Sequence, residues 1–138
     1  METKNQQKIQ EIIKTLKPIF QKEKEVLFCY LFGSFANGNP ISSSDIDIAV
    51  YLDDKKCLDF FEKRLELIPK ISKLSGKQAD ITILNNASLF MKYVVLKEGK
   101  LIFERNCEKR IIFELKSTNE YFDFKPALEM YNKELLAS

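Results

Sequence analysis

The chain contains no histidine. That absence removes Ser-His-Asp and Cys-His catalysis, His-ligated zinc and imidazole acid–base chemistry together. Chemistry here must rest on carboxylates, Lys, Tyr, Cys or bound metal. Arginine is scarce as well, with only Arg64, Arg105 and Arg110. Basic and acidic residues nearly balance at 22 and 20, so net charge does not point to nucleic acid. So few arginines leave little material for reading base edges. Cysteine is limited to Cys29, Cys57 and Cys107. An odd number, far apart and without Cys-x-x-Cys, argues against a disulfide framework or a zinc knuckle. All three are read as structural, Cys29 as a small core residue. No apolar run reaches membrane-spanning length, and residues 1–10 lack an apolar signal region, so the expected place is the cytoplasm.

What is present fits one domain spanning residues 1–138, with 45% hydrophobic residues to supply a core. Ile9, Ile12, Ile13, Leu16, Ile19 and Phe20 predict a helix over 4–22, kinked or split at Pro18. Residues 26–32 read as a buried strand, and 34–38 as a short helix after it. Strict alternation predicts a strand over 45–52. Leu58, Phe61, Leu65, Ile68, Ile71 and Leu74 predict a helix over 58–74 with Pro69 inside, stopped by Ser75-Gly76. Residues 79–84 alternate again and Asn85-Asn86 turns the chain. A helix over 89–96, a short strand over 100–103 and a helix over 107–121 follow. Pro126 is expected to start or kink a last helical piece ending near Leu135. Tyr121, Phe122, Phe124 and Tyr131 are read mainly as core or helix-packing residues, some of them available to a partner. The fold class is α/β.

The most informative stretch runs from Leu31 to Val50. Gly33-Ser34 follows an apolar run; ten residues later comes Asp45-x-Asp47. On a strand, carboxylates at i and i+2 share a face, about 6–7 Å apart at ~3.3 Å per residue. Two such groups can converge on metal ions, as two-metal phosphoryl transfer requires. Like charges on one strand face repel, and a bound cation would explain their pairing. A glycine after a strand admits phosphate close to the backbone, and Ser34 at a helix start would offer a hydroxyl and N–H groups. Asp80 repeats the pattern, an acid early in a half-buried strand opposite Ala79, Ile81 and Ile83. If the two strands are neighbours, three carboxylates meet on one surface. The third can ligate metal or take a proton. A surface aspartate with no role is the bland alternative.

These residues resemble the minimal nucleotidyltransferases of the DNA polymerase beta superfamily, with their Gly-Ser, ten residues, Asp-x-Asp and a later third acid. The chain is most similar to the MNT-type antitoxins that pair with HEPN-domain (HepT-type) ribonuclease toxins. The likeness extends to Asp80-Ile-Thr-Ile-Leu-Asn85-Asn86-Ala87 and to Tyr121-Phe-Asp-Phe-Lys125-Pro126, thus to nearly the whole chain. One departure is Asn37, where that family commonly has a basic residue before the glycine matched by Gly38. The change could weaken a phosphate contact. The resemblance implies a nucleotidyltransferase fold, a mixed sheet with helices packed on it and C-terminal helices. It implies ATP as substrate, two Mg²⁺ ions held by Asp45, Asp47 and Asp80, terminal phosphates at Gly33 and Ser34, and AMP transfer to a tyrosine of the toxin. Two alternatives stay open. One is a binding-only antitoxin with a vestigial site, the other an aminoglycoside-type small-molecule nucleotidyltransferase.

Overall fold

The computed structural model describes residues 4–33, 36 and 45–137. Its centre is a mixed sheet of four strands, β1 (Val26–Phe32), β2 (Ile46–Leu52), β3 (Ala79–Ile83) and β4 (Lys100–Glu104). The strands lie in the order β3-β2-β1-β4. β1 runs antiparallel to β2 and β4, while β3 runs parallel to β2. All seven residues of β1 are buried, as a strand with neighbours on both edges and helices on both faces must be.

Two helices seal one face, α1 (Lys4–Lys22) and α2 (Phe60–Ser75). Leu16 and Phe20 of α1 and Leu67 and Ile71 of α2 meet Ile46, Ile48, Val50 and Leu52 of β2. Each fully buried aliphatic side chain there contributes roughly 1.5–3 kcal/mol. The other face carries α3 (Leu89–Glu98) and α4 (Cys107–Ala137). Val95 and Phe113 from these helices cover Phe28, Tyr30 and Ala49. The alternation of β2 therefore holds: isoleucines face α1 and α2, and Asp47, Ala49 and Tyr51 face the other way. Asn85, in the 3₁₀ turn Leu84–Asn86, extends the sheet by bonding both backbone groups of Leu52 at 2.8 Å.

Three expectations need correction. The helix expected over 58–74 forms as α2, but of the apolar series only Ile71 is fully buried and Ile68 partly, and Lys63 and Leu67 complete the buried stripe. Leu58, Phe61, Leu65 and Leu74 are exposed. Lys63 takes a core-side place because Glu23 and Glu25 reach it at 2.6 and 3.3 Å. Next, α4 is one helix through Pro126, not two pieces. The carbonyl that Pro126 leaves without its helical N–H belongs to Phe122, on an exposed stretch where water can bond it. Last, Phe122, Phe124 and Tyr131 are exposed rather than core, and only Tyr121 is buried, stacked on Tyr93. Helices α1 and α2 likewise run through Pro18 and Pro69, both exposed. No described helix is long and apolar enough to cross a membrane. Cys29 and Cys57 are buried and Cys107 is exposed, all three as free thiols.

Candidate active site

Strand pairing assembles the candidate site. Register places Phe32 opposite Asp47 on one side, and Asp47 opposite Asp80 on the other. Neighbouring strands lie about 4.8 Å apart, so the side chains of Asp47 and Asp80 rise from the same face side by side. Asp45 stands one residue before β2, exposed. The backbone amide of Ile46 donates to Gln78 O at 2.9 Å, which ties the starts of the two parallel strands together.

Gly33 ends β1 directly beside Asp47. Its φ is +77°, a region that favours glycine. A Cβ there would collide with Asp47 Oδ2 and lie 3.1 Å from Asp47 Cγ. Glycine is thus required twice, by the turn and by the close approach of backbone to carboxylate. The Gly33 carbonyl accepts from Ala36 N–H at 3.1 Å, closing a turn. Ser34, Asn37 and Gly38 lie outside the described residues, as does the short helix expected over 34–38 apart from Ala36.

Electrostatics mark the cluster as strained. The Asp47 carboxyl is pushed above the usual aspartate value, first by partial burial, then by the negative charges of Asp80 and Asp45. Its shift shows that the three acids share one electrostatic neighbourhood. Among the described residues, no three acids or thiols stand close enough to cage an ion alone. Asp80 has a cationic neighbour that sequence reading missed. Arg64 of α2 donates from Nη2 to Asp80 Oδ1 at 3.0 Å, and from Nε to Ile81 O at 2.6 Å. No periodicity could have found it, since Arg64 sits on the helix packed against the opposite face. The other two arginines serve the fold. Arg105 donates to the carbonyls of Phe20, Gln21 and Val26, and Arg110 pairs with Glu104 and Glu114.

Known proteins share this fold. Residues 14–108 match the model of the family described as polymerase beta, nucleotidyltransferase. A protein adenylyltransferase, MntA, of Shewanella oneidensis is 32% identical over 111 residues, which are 80% of this chain and 75% of that protein. One chain of a crystal structure of a toxin-antitoxin with AMP-PNP superposes with a TM-score of 0.73 at 26% identity, covering 93% of this chain and 98% of that one. One chain of the tri-AMPylated Shewanella oneidensis HEPN toxin in complex with MNT antitoxin superposes at 0.67 and 25% identity, covering 96% and 98%. On these matches over most of its length, the chain belongs to the polymerase beta nucleotidyltransferase family.

Proposed function

We propose that this chain is the antitoxin of a toxin–antitoxin pair. It acts as a Mg²⁺-dependent protein adenylyltransferase, moving AMP from ATP to a tyrosine of a HEPN-domain ribonuclease toxin and so neutralising it. Residues 1–138 form one minimal nucleotidyltransferase domain in this reading. The observation that carries it is the register setting Asp47 beside Asp80, with Gly33, at the end of β1, closing on Asp47. The similarity to MntA, and to chains from complexes with AMP-PNP and with an AMPylated toxin, supports the reaction and the partner.

Magnesium fits the donors present. Asp45, Asp47 and Asp80 offer only carboxylate oxygens, the ligands this hard ion prefers. Mg²⁺ keeps several waters and takes one or two carboxylates plus substrate phosphates, so an open cluster suits it better than a closed cage. Burial and the charges of Asp80 and Asp45 raise the Asp47 carboxyl, and a cation held there would oppose that shift. Once bound, such ions neutralise the triphosphate and lower the pKa of the acceptor hydroxyl.

The residues then divide the work. Asp45 and Asp47 would hold Mg²⁺, which would supply neutralising charge for the triphosphate. Gly33, with no side chain, lets phosphate oxygens reach the backbone, and Ser34 holds the terminal phosphates. Asp80 orients the acceptor and takes its proton, which a tyrosine of pKa near 10 does not readily release at neutral pH. The phenolic oxygen bonds the α-phosphorus, and pyrophosphate leaves with the electrons of the broken P–O bond.

The test uses the partner toxin, ATP and Mg²⁺, with intact mass as readout. Each modified toxin should gain one adenylate mass or a multiple. Asp47→Ala should abolish the gain while the protein stays folded and still binds the toxin. A wild-type rate in Asp47→Ala would remove the mechanism. Inhibition of the toxin without any mass gain would leave a binding-only antitoxin.

A further inference from the structure

Arg64 joins two elements that the strand pairing alone leaves independent. It projects from α2, on the sealed face, past the outer edge of β3 to the carboxylate face. Among the described residues β3 is an edge strand, paired only with β2. In a parallel strand, alternate residues turn their backbone groups to the same side. Gln78 O faces inward, toward Ile46 N, so Ala79 and Ile81 face outward. Side chains of α2 meet both: Ser72 Oγ accepts from Ala79 N at 3.0 Å, and Arg64 Nε donates to Ile81 O at 2.6 Å. The guanidinium is therefore fixed to backbone at one arm. Its other arm bonds Asp80 Oδ1 at 3.0 Å.

Stability does not account for that second arm. The Asp80 side chain is 60% exposed and that of Arg64 36%, and ion pairs so exposed contribute little. What the arrangement does provide is direction. A guanidinium held at Ile81 fixes the place of the one Asp80 oxygen bonded to it. Among the described residues the bond to Asp80 is recorded at Oδ1, which leaves Oδ2 for a ligand or a proton. A gate that must open would be poorly served by an arginine tied to backbone.

The geometry points to Arg64 as a positioning residue for the reaction: it holds Asp80 by Oδ1 and presents Oδ2 to the acceptor side of the site. This inference rests on the role given to Asp80 under the proposed function. Groups that hydrogen-bond a ligating carboxylate typically change metal affinity about 10–100-fold when removed.

The experiment compares wild type, Arg64→Ala and Arg64→Lys. Free Mn²⁺ is counted by electron paramagnetic resonance in the presence of AMP-PNP, and AMP transfer to the toxin is followed at varied ATP. Wild type should bind two ions. Arg64→Ala should keep the tighter ion and its KM for ATP within about two-fold, and weaken the second ion and kcat about 10–100-fold. Added guanidinium should restore part of the loss. Arg64→Lys should fall between, because one ammonium cannot serve both acceptors. Arg64→Lys also keeps the charge if Arg64→Ala fails to fold. A merely structural role would lower melting temperature and weaken both ions alike. Unchanged or tighter second-ion binding in Arg64→Ala, or a raised KM with unchanged kcat, overturns the inference. If wild type itself binds no ion or transfers no AMP, the proposed function falls, and this inference with it.

Discussion

Two charged clusters lie on opposite faces of the same sheet, and they behave in opposite ways. On the sealed face, Lys63 and Lys70 meet Glu23 and Glu66, with Glu25 beside Lys63. Burial alone would raise the Glu23 carboxyl, yet hydrogen bonds from Lys63 and Lys70 outweigh it and hold the value down. Burial would lower Lys63, and its glutamates raise it instead. Glu23 and Lys63 are thus both shifted toward their charged forms. On the other face, Asp47 is shifted toward its neutral form by burial and by Asp80 and Asp45. A charge cluster that satisfies itself supports the fold. One that opposes itself needs something from outside, and Arg64 compensates only Asp80.

The largest expected effect breaks the self-satisfied cluster. Lys63→Met should cost about 3 kcal/mol in urea unfolding, because removing one partner of a buried pair takes the cation from Glu25 and leaves the buried Glu23 to Lys70. AMP transfer at 25 °C should stay at the wild-type rate. A loss of transfer matching that of Asp47→Ala would show that the two clusters are not separate in function.

Gly33→Ala attacks the opposed cluster instead. The positive φ alone should cost roughly 1–2 kcal/mol of stability. The added methyl must also turn the Asp47 carboxylate aside. We expect AMP transfer to fall by about 100-fold, equivalent to ~2.7 kcal/mol of barrier. A variant with full transfer would mean that the close contact between Gly33 and Asp47 has no part in the chemistry.

The smallest effect sharpens the contrast through pH. A carboxyl raised in the folded state binds its proton more tightly than in the unfolded chain, whose reference is 3.8. Stability therefore falls as pH rises from near 3.8 through the folded value, and the penalty is full above it. Asp47→Asn removes that penalty. In metal-free buffer at pH 7 it should melt about 2 °C above wild type, and the difference should vanish below pH 3.8. A lower melting temperature at pH 7 would make Asp47 a structural residue with unmade bonds left behind. Differential scanning fluorimetry across pH resolves either outcome.

Much was legible before any coordinates. Alternation in β2 separates Ile46, Ile48, Val50 and Leu52 from Asp47, because side chains on a strand have a period of two. Gly33, Asp45, Asp47 and Asp80 stand out by spacing and residue type alone. The same logic failed on α2, where several apolar positions compete for one stripe. There Lys63 won a buried place through glutamates 38 and 40 residues away in sequence, Glu25 and Glu23, which no local pattern can see. It also failed at Pro126, since a helix on an exposed stretch tolerates a missing hydrogen bond that a buried one would not.

The sequence by itself determined the residue types of the site, the strand faces and the absence of imidazole chemistry, because these follow from short-range spacing and composition. Tertiary structure alone decided the rest. Register set Asp47 beside Asp80, two positions 33 residues apart that only strand pairing can bring together. Packing of α2 along the β3 edge brought Arg64 to Asp80 from the opposite face. Close approach of two strands made Gly33 necessary against Asp47 and not merely a turn residue. Each depends on which segments become neighbours, and that is settled by burying the isoleucine face under α1 and α2.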